Sequence, residues 1–117
     1  MLDRKSILAS DDLPRIKLTI PQWGGDVFIR TMSGCERDQF EASCAQGRGK
    51  NKEANLENIR ARLAVLTVCD ESGMRLFNAK DVEALGKKSA AALDLIFDAS
   101  RKANGLGAED VNDLAGN

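Results

Sequence analysis

Ile16-Lys17-Leu18-Thr19-Ile20-Pro21-Gln22-Trp23-Gly24-Gly25-Asp26-Val27-Phe28-Ile29-Arg30-Thr31-Met32 is the stretch whose reading decides the fold. Apolar Ile16, Leu18 and Ile20 alternate with polar Arg15, Lys17 and Thr19, the period of a strand with one buried face. Pro21 ends that alternation. Val27 to Met32 is again rich in β-branched and aromatic types, so strand, Gly-Gly, strand predicts a hairpin over 15–32. A two-residue turn at Gly24-Gly25, where glycine adopts positive φ without strain, sets Trp23 opposite Asp26, Gln22 opposite Val27 and Ile20 opposite Ile29. One face then collects Ile16, Leu18, Ile20, Val27 and Ile29 as a core surface. The other carries Pro21, Trp23, Phe28 and Met32 among Lys17, Thr19 and Arg30.

Upstream, residues 1–13 show no clean period and are expected to form a flexible arm. Downstream, helical signals take over. Ser33-Gly34-Cys35-Glu36 is a capping box, in which the Ser and Glu side chains each satisfy a free backbone N–H. It opens a helix over about 33–46 with Phe40 and Cys44 on its inner stripe. Gly47-Arg48-Gly49-Lys50-Asn51-Lys52 reads as a polar loop. From Asn55 as N-cap, Leu56, Ile59, Leu63 and Leu66 fall at helical spacing and predict a central helix over 55–69. Asp70-Glu71-Ser72-Gly73 turns the chain. Asn78 caps a short helix over 78–86, and Ser89 starts the last, over 89–104, with Leu93, Ile96, Phe97 and Ser100 inward. Asn104-Gly105-Leu106 has the form of a Schellman ending. Residues 107–117 are an acidic tail expected to be flexible. The fold class is thus α+β: an antiparallel β-hairpin followed by about four α-helices, packed as one domain over 14–106.

Composition narrows the function. The 117 residues contain no histidine and no tyrosine. That removes Ser-His-Asp and Cys-His chemistry and the side chain best suited to moving protons near neutral pH. With no Cys-x-x-Cys pair, zinc has no recognisable ligand set. The turn at Asp70 lacks the alternating ligands of a calcium loop. No catalytic, metal or cofactor residues are expected, and the chain reads as a binding protein, not an enzyme. Seventeen basic and 18 acidic residues nearly cancel, so no global field gathers phosphates and nucleic acid is not expected as a partner. No membrane-spanning run is seen. Cys35, Cys44 and Cys69, odd in number and widely spaced, suit a reducing compartment and read as small apolar fillers.

Trp23, at the hairpin tip, is the residue most suggestive of a contact. Two readings stay open: a partner-binding anchor, since tryptophan is enriched among interface hot spots, or a lid folded onto a helix. Pro21, Phe28 and Met32 complete that candidate surface. The exposed flank of the Leu56–Cys69 helix is a second.

The order of these features resembles the tail assembly chaperones of long-tailed bacteriophages and prophages. The resemblance is carried by Ile20-Pro21-Gln22-Trp23-Gly24-Gly25-Asp26-Val27-Phe28-Ile29-Arg30, Ser33-Gly34-Cys35-Glu36-Arg37-Asp38-Gln39-Phe40-Glu41 and Asn58-Ile59-Arg60-Ala61-Arg62-Leu63. It continues through Asp70-Glu71-Ser72-Gly73-Met74-Arg75-Leu76-Phe77 and Ala84-Leu85-Gly86-Lys87-Lys88-Ser89-Ala90-Ala91-Ala92-Leu93-Asp94, covering about residues 14–106. It implies binding to the tape measure protein, which is kept soluble while tail tube subunits are recruited, in the host bacterial cytoplasm and outside the mature virion. Self-association is left open. A head-tail or tail completion protein retained in the virion is the alternative. The family supplies no catalytic residues, and its partner-binding residues are not fixed by a motif.

Overall fold

The computed structural model describes residues 1–45 and 56–106. Period-two patterning produces β1 (Arg15–Ile20) and β2 (Gly25–Arg30), paired antiparallel. Ile20 lies opposite Gly25, Leu18 opposite Val27 and Ile16 opposite Ile29. This is not the register that a two-residue turn predicts. Pro21–Trp23 instead form a 3-10 turn, with proline's fixed φ at its start. The Gly24 N–H closes it onto the Pro21 carbonyl at 3.1 Å, and Gly24 sits at φ 69°, the left-handed region. A four-residue loop therefore replaces the Gly-Gly turn. Because the shift in pairing is even, the paired residues of the two strands keep the faces predicted for them. Ile20 and Ile29 are fully buried, Leu18 and Val27 partly so, and Ile16 stays exposed at the sheet edge.

A third strand was not anticipated. The central helix α3 (Ile59–Thr67) stops short of residue 69, and Val68–Cys69 form β3 beside β2. Val68 pairs with Ile29 and Cys69 with Phe28. Continuing the helix would have left the inner edge of β2 unpaired, so ladder hydrogen bonds win over helical periodicity here. The helix also begins later than expected, after Asn58, which takes positive φ (53°) and makes no side-chain cap. The predicted cap, Asn55, lies outside the described residues. Asn58 and Gly86 approach so closely that a Cβ on Gly86 would sit 2.6 Å from Asn58 Oδ1. Glycine at 86 thus serves a close contact as well as a helix end.

The remaining elements follow their local signals. The capping box at Ser33 and Glu36 starts α2 (Gly34–Cys44). Asn78 caps a 3-10 turn (Ala79–Asp81) that leads into α4 (Val82–Gly86). Ser89 accepts the Ala92 N–H and caps α5 (Ala90–Ala103). Its Schellman end is formed: the Leu106 N–H reaches the Arg101 carbonyl at 2.8 Å, and Leu106 is buried. Asp70 Oδ1 accepts the N–H groups of Ser72 and Met74 and the Ser72 hydroxyl, which builds the expected turn. Residues 4–9, read from sequence as part of an aperiodic arm, form a short helix α1 (Arg4–Ala9) with no buried residue. The basic loop at 47–52 and the acidic tail at 107–117 lie outside the described residues.

The sheet, in order β1-β2-β3, packs its inner face on α5, and the shared core extends to α3. One core cluster joins Ile20, Ile29, Val65, Val68, Leu93 and Ile96. A second gathers Met32, Phe40, Cys44, Leu63, Leu66 and Leu106 around α2. Between α3 and α5, Thr67 and Ser100 are both fully buried and hydrogen-bond each other at 2.8 Å, and the Thr67 hydroxyl also donates to the Leu63 carbonyl of its own helix at 2.9 Å.

Candidate protein-binding surface

The hairpin tip is built by β1, the 3-10 turn and β2, and the turn rests against α5. That contact gives the tip a fixed seat. Pro21 is exposed there, and Trp23 retains 37% exposure. Part of the indole therefore faces solvent, a property that interface tryptophans share. Below the tip, Thr19 donates to Asp26 at 2.7 Å and Lys17 pairs with the same carboxylate at 3.4 Å. The Thr19 hydroxyl first, then Lys17, hold the Asp26 carboxyl below its ordinary range.

Of the other residues expected to share this surface, Phe28 lies on the outer sheet face between Lys17 and Cys69, half-buried. Met32 does not belong to the surface. It is 6% exposed and packs in the second core cluster, with its backbone N–H donated to Asn104. Two residues beyond β2 the ladder has ended, so strand alternation no longer governs where Met32 points. The exposed apolar flank expected for the central helix is also absent. From Ala61 to Thr67 every residue except Arg62 is buried. Among the described residues of that stretch, Leu56, ahead of the helix, presents an apolar side chain to solvent.

The outer sheet face carries a charge cluster drawn from segments distant in the chain. Glu36, 8% exposed, receives Arg30 from β2 and Arg75 at 3.3 Å from the segment after the Asp70 turn. The same carboxylate closes the capping box by accepting the Ser33 N–H at 3.0 Å. Arg75 also donates to the Val65 carbonyl at 3.0 Å, and Arg15 donates to the Glu71 carbonyl at 2.7 Å. One carboxylate thus ties α2, β2 and the chain beyond β3 together. Two guanidiniums on one carboxylate leave a local positive surplus.

A groove between α2, α3 and α4, of about 210 Å³, is floored by Phe40, Val65, Leu66 and Val82 and rimmed by Arg62 and Arg75. Sequence periodicity marks these four as core, which conceals that they also line a groove. Among the described residues no three His, Cys, Asp or Glu side chains converge as metal ligands. Cys44 and Cys69 are buried as expected of fillers, whereas Cys35 is exposed on the first turn of α2. Burial pushes the Cys69 thiol up, away from a reactive thiolate. No helix among the described residues is long and apolar enough to cross a membrane.

This geometry defines a small α+β fold: a three-stranded antiparallel sheet covered on one face by helices, with an exposed hairpin tip. Its particular form is similar to the solved structure of the bacteriophage HK97 tail assembly chaperone. That similarity covers 86% of this chain and 96% of that one, with a TM-score of 0.58 and 14% sequence identity. At that identity the likeness is one of fold. No protein-family model matches the chain, and no curated protein matches it.

Proposed function

We propose that this chain is a tail assembly chaperone of a long-tailed phage or prophage, which binds the tape measure protein and keeps it soluble while tail tube subunits are recruited. The observation that carries the proposal is the shared fold with the HK97 tail assembly chaperone over nearly the whole length of both chains. An apolar segment left uncovered associates with others like it, and covering it with a complementary surface suppresses that association. The partly exposed Trp23, in one turn with Pro21 at the hairpin tip, suits such a role. A partner released at assembly calls for a modest apolar patch with a polar rim, and Lys17, Thr19 and Asp26 supply polar neighbours along the strands.

The work is partner binding in the host bacterial cytoplasm, without catalysis, and the chain leaves before the particle matures. Mass spectrometry of purified particles tests this directly. The proposal expects the chain to be absent from mature virions and present in lysates during assembly. Stoichiometric copies in the particle would instead make it a head-tail or tail completion subunit.

A further inference from the structure

Asn104-Gly105 is the single Asn-Gly dipeptide of the sequence. Such a pair is chemically labile. The main-chain nitrogen that follows an asparagine can attack its side-chain amide carbon, and glycine has no side chain to shield that nitrogen. Asn51, Asn55, Asn58, Asn78 and Asn112 precede Lys52, Leu56, Ile59, Ala79 and Asp113, each of which has one. The fold nevertheless calls for both members of the pair. Gly105 takes φ 66°, the left-handed region, and a Cβ there would meet nothing, so backbone handedness and not space selects glycine. Asn104 is selected by its neighbours: its Oδ1 accepts the Met32 N–H at 2.6 Å.

The native geometry holds the reacting groups apart. Asn104 Nδ2 donates to the Ser100 carbonyl at 2.8 Å, so the side-chain amide is bound at both its oxygen and its nitrogen. The attacking group is bound too, because the Gly105 N–H donates to the Lys102 carbonyl at 3.3 Å. At ψ 5° the Gly105 nitrogen lies well to one side of the Asn104 Cα–Cβ bond, whereas ring closure needs the two eclipsed. Asn104 is 8% exposed, and Leu106 just beyond it is buried in the second core cluster. Attack therefore waits on an opening that breaks these bonds together.

We propose that Asn104 is a deamidation site masked by the fold, and that its conversion removes the clamp joining α5 to the passage from β2 into α2. In the opened chain the Gly105 nitrogen gives its proton to hydroxide and bonds to Asn104 Cγ. The Cγ–Nδ2 bond breaks, and that nitrogen takes a proton from water and leaves as ammonia. Water then opens the cyclic imide at either carbonyl, giving aspartate or isoaspartate. Neither product restores the site. Aspartate has no N–H for the Ser100 carbonyl and brings a charge to a buried position. Isoaspartate adds a methylene to the main chain, which shifts Leu106 from its seat. An unfolding event that lasts long enough thus leaves a permanent mark on the chain, whichever partner the chain binds.

Peptide mapping by mass spectrometry tests this on the full chain, held in mildly alkaline buffer either folded or unfolded in urea. In urea, Asn104 is expected to convert ahead of the other asparagines. In the folded chain it should convert at least about tenfold more slowly, since reaction through a rapidly closing open state tracks the population of that state. Gly105→Ala, compared in urea where its backbone strain has no bearing, should abolish the lead of Asn104. Asn104→Asp, which is one of the products, should unfold at lower urea than the parent. Equal rates in the folded and unfolded chains overturn the masking. Another asparagine converting first in urea overturns the site, and an Asn104→Asp chain as stable as the parent overturns the consequence.

Discussion

Asn104 Oδ1 accepts the backbone N–H of Met32 at 2.6 Å, joining residues 72 apart in the chain. The same side chain donates to the Ser100 carbonyl at 2.8 Å, and Arg37 of α2 reaches the Asn104 carbonyl at 3.2 Å. The last residue of the α5 cap thereby fixes the passage from β2 into α2. Asn104→Ala leaves a buried N–H without a partner and is expected to cost about 2 kcal/mol. Urea unfolding measures it as a lowered midpoint with unchanged slope. A variant within about 0.5 kcal/mol of the parent, where surface substitutions fall, would mean that water replaces the amide there.

Glu36 makes the second prediction. Removing one member of a buried charge cluster strands the others, and the partly exposed Arg75 softens that cost. Glu36→Gln is expected to destabilise the fold by about 3 kcal/mol, more than the loss of a capping-box residue alone. Replacing Glu36, Arg30 and Arg75 together by apolar residues should recover part of it. If the single and triple variants are equally unstable, packing and not charge accounts for the site.

Acid should act through the turn carboxylates. The Ser72 hydroxyl, followed by the Met74 N–H and the other turn groups, holds Asp70 below its ordinary range, and Thr19 does the same for Asp26. A folded-state value depressed below the unfolded one contributes stability that is fully present above the unfolded value of about 3.9. That contribution is lost as pH falls through the folded value. Thermal melts between neutral pH and strongly acidic pH should therefore drop mainly below about pH 4. Asp70→Asn should make that drop shallower. An unchanged slope in the variant would remove Asp70 from the explanation.

Trp23 tests the proposed partner binding. With 37% of the residue exposed, Trp23→Ala is expected to weaken the proposed tape measure complex by about 2 kcal/mol or more. Calorimetry of the complex, beside thermal melts of the free chain, separates the two readings of this residue. A large loss of stability with intact binding would make Trp23 a lid on α5.

How much of this was legible in the sequence depends on the range over which each residue is decided. The capping box at Ser33 and Glu36, the Asp70 turn and the Schellman ending at Gly105 rest on contacts within a few residues, and all three formed. The hairpin faces survived a wrong turn because the pairing moved by an even number. Val68 and Cys69 were misread because their partner, β2, lies some forty residues away, and helical spacing cannot register a vacant strand edge. Met32 was misplaced by extending alternation past the end of its ladder. The Glu36 cluster and the groove under Arg62 and Arg75 bring together distant segments, and no local pattern announces them. Of the residues expected at the hairpin surface, Pro21 and Trp23 are exposed and Phe28 is half-buried.

The most direct test of the proposed role is the soluble fraction of the tape measure protein, expressed with and without this chain. The expected result is a tape measure that aggregates alone, becomes soluble on co-expression and co-purifies with the chain, with the gain reduced by Trp23→Ala. A tape measure equally soluble in both cases, and never found bound to the chain, would contradict it.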